Sequence, residues 1–170
     1  MTGAQRLHAR AVMDFMYAHR SQLAYPPGDQ RTARDGYSWN LTEQEMHHYL
    51  AAGGTPMMDC SEYAPWCLKC AAAWPFSTPG ATGTHLAIWQ ARRWTIYTDA
   101  KQAEVAALVV FGPGSGHHEA IVHTPDPKHG NPMLSSHGHP GLDLIALSDE
   151  AARQSAEGYP GVRFLSVAHL

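Results

Sequence analysis

The chain has 170 residues, enough for one compact domain that buries about 70% of its unfolded surface without disulfide or metal staples. Only 16% of them are Asp, Glu, Lys or Arg, against roughly 25% in an ordinary soluble domain, while Gly (15), Pro (12) and His (12) are abundant. A net charge of −3 and a pI near 6.4 leave no basic surplus to spread over nucleic acid or an anionic membrane, which excludes both as the expected partner.

Three cysteines cannot close a set of disulfides, so a reducing site of synthesis and at least one free thiol are expected. His8, Arg10, Asp14 and Arg20 interrupt what would be the apolar stretch of a signal peptide, and no run of about 18 apolar residues occurs. Synthesis in a cytoplasm, with neither a leader nor a membrane span, is the expectation.

In chain order, Val12, Phe15, Met16 and Leu23 lie on one face of an amphipathic helix over 3–23, stopped by Pro26 and Pro27. Residues 25–40 carry Pro, Gly, Asp and Arg without a period and read as a long loop. Thr42 and Glu45 form a capping box for a second helix, whose apolar face is Met46, Tyr49 and Leu50 and which stops at Gly53-Gly54. Tyr63, Trp66, Cys67, Cys70 and Ala71 have helical spacing, and Pro65 places the start of that helix at about Ser61. A loop over 75–84 and a short helix over 85–91 follow. Strands are predicted over 107–111, 118–123, 133–137 and 162–167, each bounded by Gly or Pro turns. Helices first and an antiparallel sheet afterwards is an α+β pattern.

Met58-Asp59-Cys60-Ser61-Glu62-Tyr63 puts a cysteine where a loop turns into a helix. The positive end and N–H groups of a helix start favour a thiolate and the oxyanion of a tetrahedral intermediate; the alternative is a small buried residue. The turn 112–116 delivers His117 and His118 to the start of a strand, a rigid position for the base that a cysteine nucleophile needs. Ser135 and His137 share one face of the strand over 133–137 and Ser136 takes the other. An orienting residue for the histidine is therefore His137 or, with a one-residue register shift, Ser136.

Asp59-Cys60-Ser61, then Leu108-Val109-Val110-Phe111-Gly112, then Gly116-His117-His118-Glu119-Ala120-Ile121-Val122 resemble the three signature blocks of the NlpC/P60 cysteine peptidases, a papain-like clan of peptidoglycan hydrolases. The nearest likeness is to forms from phages and actinobacteria. Their Tyr-loop-Arg, Thr-Gly-Thr and Ser-His-Gly segments correspond to Tyr25 through Arg31, Thr82-Gly83-Thr84 and Ser136-His137-Gly138, and residues 162–167 resemble their last strand. The chain departs from the pattern at Glu62, where Gly is frequent, at Ala106-Ala107, where Gly-Asp is frequent, and at Pro65 within the nucleophile helix.

The resemblance runs from residue 25 to the C-terminus. It implies a papain-like fold in which N-terminal helices, including the nucleophile helix, pack on a small antiparallel sheet, forming one catalytic domain over 1–170 with its core at 58–170. It also implies Cys60 as nucleophile, His118 as base and His137 as the third residue, a position that varies among His, Asn, Gln and Glu in the family. Tyr25, Arg31, Asp59, Ser61 and His117 fall on the substrate side. The implied reaction cleaves an amide of the peptidoglycan stem peptide without a cofactor or metal. The enzyme would reach the wall by holin-dependent release or within a phage assembly, and as no wall-binding module follows residue 170, targeting would come from elsewhere.

Two other classes compete. Cys67 and Cys70 with nearby histidines raise a zinc site, and His117-His118, Asn131 and His137 or His139 occur in the order of an HNH-type metal nuclease. The third option is a non-catalytic phage structural or wall-binding protein of the same fold.

Overall fold

Thr2 opens the first helix, α1 (Gly3–Ala18), with a capping box: its side chain accepts the Gln5 N–H while Gln5 reaches back to the Thr2 backbone. This computed structural model describes residues 1–26, 37–138 and 141–170, so Arg31, His139 and most of the predicted 25–40 loop lie outside the described residues. Helix α1 buries Ala9, Val12, Met13 and Met16 and stops earlier than predicted, followed by a 3-10 turn at Arg20–Gln22. A short helix, α2 (Tyr37–Asn40), precedes α3 (Glu43–Ala51), which carries the expected Thr42–Glu45 capping box and buries Met46 and Leu50.

Helix α4 (Cys60–Cys70) starts one residue before the predicted position because Asp59 caps it, accepting the Glu62 N–H at 2.9 Å. Every residue from Cys60 to Leu68 is buried, as in a helix covered on all sides. Helix α5 (Thr82–Ala91) begins three residues before the predicted start, drawing Thr82-Gly83-Thr84 into its first turn.

The second half forms a six-stranded sheet, β1 (Ile96–Tyr97), β2 (Leu108–Phe111), β3 (His118–Thr124), β4 (Met133–His137), β5 (Leu142–Ala146) and β6 (Val162–Leu165), ordered β1-β6-β2-β3-β4-β5 and antiparallel throughout. The α+β class stands, but its order is corrected: helix α6 (Leu147–Ala156) follows β5 directly and separates it from β6. The sequence pattern predicts neither β1 nor β5, nor α2, which replaces the end of the predicted 25–40 loop, nor α6.

That helix closes the second face of the sheet. Leu108, Val110, Ile121 and Leu165 pack under the N-terminal helices with Met13, Met46, Trp66 and Trp89. Val109, Phe111, Ala120, Val122, Leu134 and Phe164 pack on the opposite face with Leu147 of α6. Burial on both faces explains why β2 is an unbroken apolar run rather than an alternating one.

Register fixes which polar side chains reach each side. Val110 pairs with Glu119 and Ile121 with Ser135, so Glu119, Ser135 and, by alternation, His137 lie on the face of the N-terminal helices. Phe111 pairs with His118 and Ala120 with Ser136, placing His118 and Ser136 on the α6 face. The turn entering β3 depends on Gly116: its φ is +84°, and a Cβ there would stand 2.4 Å from Val110 Cγ1.

Candidate active site at the start of β3

Cys60 is the first residue of α4 and is 7% exposed. Its Sγ accepts the Tyr25 hydroxyl at 3.7 Å and the backbone N–H of Glu119, the residue after His118. The thiol therefore abuts the opening of β3. Tyr25 is held over it by backbone bonds from Ala24 N–H to Pro56 C=O (2.9 Å) and from Met58 N–H to Ala24 C=O (3.1 Å).

Burial, reinforced by the negative charge of Asp59, pushes the Cys60 thiol up to about 11. A thiol so placed is protonated at neutral pH, and sulfur becomes nucleophilic only with a base to receive its proton. Asp59 itself is committed to structure: besides capping α4 it accepts the Ser61 hydroxyl at 2.8 Å.

His118 is 5% exposed, and its Nε2 lies 2.8 Å from Ser136 Oγ and 3.4 Å from Glu150 Oε1. Of the two residues considered for the third position, the structure brings Ser136 to His118 and not His137. His137 is on the other face, where Nε2–H donates to Ala24 C=O at 3.4 Å and the ring meets Tyr25 and Tyr63 edge-on at 5.3 and 5.7 Å. Burial holds its imidazole down at about 4, so it is neutral at physiological pH and packs behind Tyr25.

Two clefts meet at this end of the sheet. One is lined by Cys60, Asp59, Ser61, Thr82, Gly83 and Gly116, the other by His118, Gly138, Arg153, Gln154 and Glu157. Tyr25 and His117 line both, and His117 is stacked on Tyr159 with ring centroids 3.4 Å apart. Tyr25, Asp59, Ser61 and His117, expected on the substrate side, thus line the cleft that holds the thiol; Arg31 lies outside the described residues.

Two partners escaped the sequence reading. Glu150 is completely buried on α6, where its neighbours are His118, Arg153 and Gln154. His85, also fully buried, faces Glu119 Oε2 with Nδ1 at 2.7 Å and the Pro79 carbonyl with Nε2, tying the start of α5 to β3 beneath the thiol. The His85 link had a signal in the Thr-Gly-Thr-His run, which closes the loop facing Cys60.

The metal readings find little geometry. Cys67 is buried inside α4, and among the described residues no group of three or more His, Cys, Asp or Glu side chains is disposed to hold a metal ion. Asn131 exchanges hydrogen bonds with Ser148 at the far end of β4 from His137. Compared with protein-family models, curated proteins and solved structures, the chain matches none of them.

Proposed function

We propose that this chain is a papain-like cysteine peptidase of NlpC/P60 type that cleaves an amide in the stem peptide of peptidoglycan. The observation that carries the reading is the seat of Cys60: a thiol on the first residue of a capped helix, bonded to the N–H that immediately follows His118. The peptidoglycan substrate is supported by the resemblance of the Asp59-Cys60-Ser61 and Gly116-to-Val122 blocks.

In this reading His118 takes the Cys60 proton as sulfur attacks the amide carbonyl carbon, and the carbonyl electron pair moves to oxygen. N–H groups of Cys60 and Ser61, at the positive end of α4, stabilise the oxyanion. Collapse breaks the C–N bond, His118 returns the proton to the leaving amine, and water hydrolyses the thioester. Tyr25 and His117 line the approach to sulfur. The enzyme acts at the cell wall, delivered by release from a host cytoplasm or as part of a phage particle.

The decisive experiment digests purified cell walls with the native protein and with Cys60→Ala, following release of new amino groups by mass spectrometry of the fragments. Loss of release in the variant, with unchanged circular dichroism, is expected. Equal release by both proteins overturns the reading.

A further inference from the structure

Helix α6 brings a carboxylate to the base that the thiol mechanism does not yet use. The two oxygens of Glu150 divide their partners: Oε2 lies 2.6 Å from Arg153 Nη2, while Oε1 accepts from Gln154 Nε2 at 3.0 Å and lies 3.4 Å from His118 Nε2. Glu150 has no exposed surface, and the Arg153 guanidinium is the cation that faces it. Around the imidazole, Ser136 faces it from β4, Glu150 and Arg153 from α6, and Glu157, His117 and Tyr25 line the same cleft.

Ser136 does not by itself determine which ring nitrogen of His118 carries hydrogen. A hydroxyl donates or accepts, so Ser136 Oγ satisfies Nε2 in either state. An ionised carboxylate only accepts. With Glu150 Oε1 on the same nitrogen, the state with hydrogen on Nε2 is attractive and the state with a lone pair there is repulsive.

We propose that Glu150 is the positioning residue of His118, holding the ring in the Nε2–H tautomer so that Nδ1 is the basic nitrogen serving Cys60. This role rests on the thiol-peptidase reading above. Arg153 and Gln154 aim the carboxylate. When Nδ1 accepts the thiol proton, the S–H bond breaks and the Nδ1–H bond forms. The ring becomes an imidazolium opposite the Glu150 side chain.

The test compares native protein with Glu150→Gln and Glu150→Asp. The amide of the first can donate to Nε2; the second keeps the charge. Nitrogen-15 spectra of His118, assigned with His118→Gln, report the tautomer, and hydrolysis of a soluble muropeptide separates kcat from KM. The Nε2–H form is expected in the native protein and Glu150→Asp. In Glu150→Gln a shift toward Nδ1–H is expected, with kcat lower by about a hundredfold, the scale of a general base, and KM little changed. An unchanged tautomer and rate in Glu150→Gln overturns the positioning role and leaves the peptidase reading standing. A shifted tautomer in a protein whose native form releases no wall peptide sinks the peptidase reading and leaves the coupling of Glu150 to His118 in place.

Discussion

His137 should make this domain sensitive to acid, and the size of the effect follows from its burial. The ring is 1% exposed and burial holds it down at about 4, whereas in the unfolded chain it titrates at about 6.5. Below about pH 6.5 the unfolded state therefore binds a proton that the folded state refuses. Stability is complete above that value and erodes as pH falls toward about 4, levelling off beyond it. Linkage from about pH 7.5 to about pH 5 puts the loss near 2 kcal/mol. His137→Gln removes the titrating group while keeping a polar side chain of similar reach. Urea unfolding of both proteins at the two pH values isolates the contribution, because every other ionisable group is common to both. The native protein should lose about 2 kcal/mol more than the variant on acidification, whatever the variant's baseline stability. Parallel losses in the two proteins would refute the buried-neutral assignment of His137.

Two further substitutions test the supports of the site. His85→Ala leaves Glu119 buried without its partner and should cost about 3–5 kcal/mol in urea unfolding, the scale for breaking a buried pair; a loss below about 1 kcal/mol would show that the pair is not a structural tie. Asp59→Asn preserves the N-cap while removing the charge that helps raise the thiol, so the alkylation profile of Cys60, mapped by mass spectrometry, should move to lower pH with the melting temperature nearly unchanged.

How much of this was legible in the sequence depended on whether each element announces itself locally. Helices α3 and α4 carry side-chain caps at Thr42 and Asp59, and both starts were read within a residue. Helix α5 has Ala81 at its cap, with no side-chain hydrogen bond to mark it, and its start was read three residues late. Helix α6 escaped for a different reason. Its buried positions are Leu147, Glu150 and Gln154, so the face turned inward carries one large apolar side chain and is otherwise polar. Strand β5 is an edge strand, exposed or half-buried except at Leu142, and shows no clean alternation.

The choice between His137 and Ser136 could not be made before pairing was known. Neighbouring strand residues point to opposite faces, and only the Ala120–Ser136 register decides which one meets His118. Glu150 was further out of reach, because it arrives from an element 32 residues downstream whose existence the apolar pattern did not reveal.

The scarcity of charge noted at the outset has an electrostatic counterpart in the fold. Asp59, Glu119 and Glu150 are all buried near the opening of β3. The first two oppose ionisation of Cys60, and with burial they keep the thiol protonated at rest. The third lies 3.4 Å from the His118 imidazole. Negative charge on sulfur is thus disfavoured, so a resting thiolate is not what this environment selects. In the proposed mechanism this calls for proton transfer coupled to attack, with negative charge passing from sulfur to the carbonyl oxygen at the start of α4 as it forms. Under that proposal no positively charged surface would be needed to activate the thiol, in keeping with a chain that has only 12 lysines and arginines.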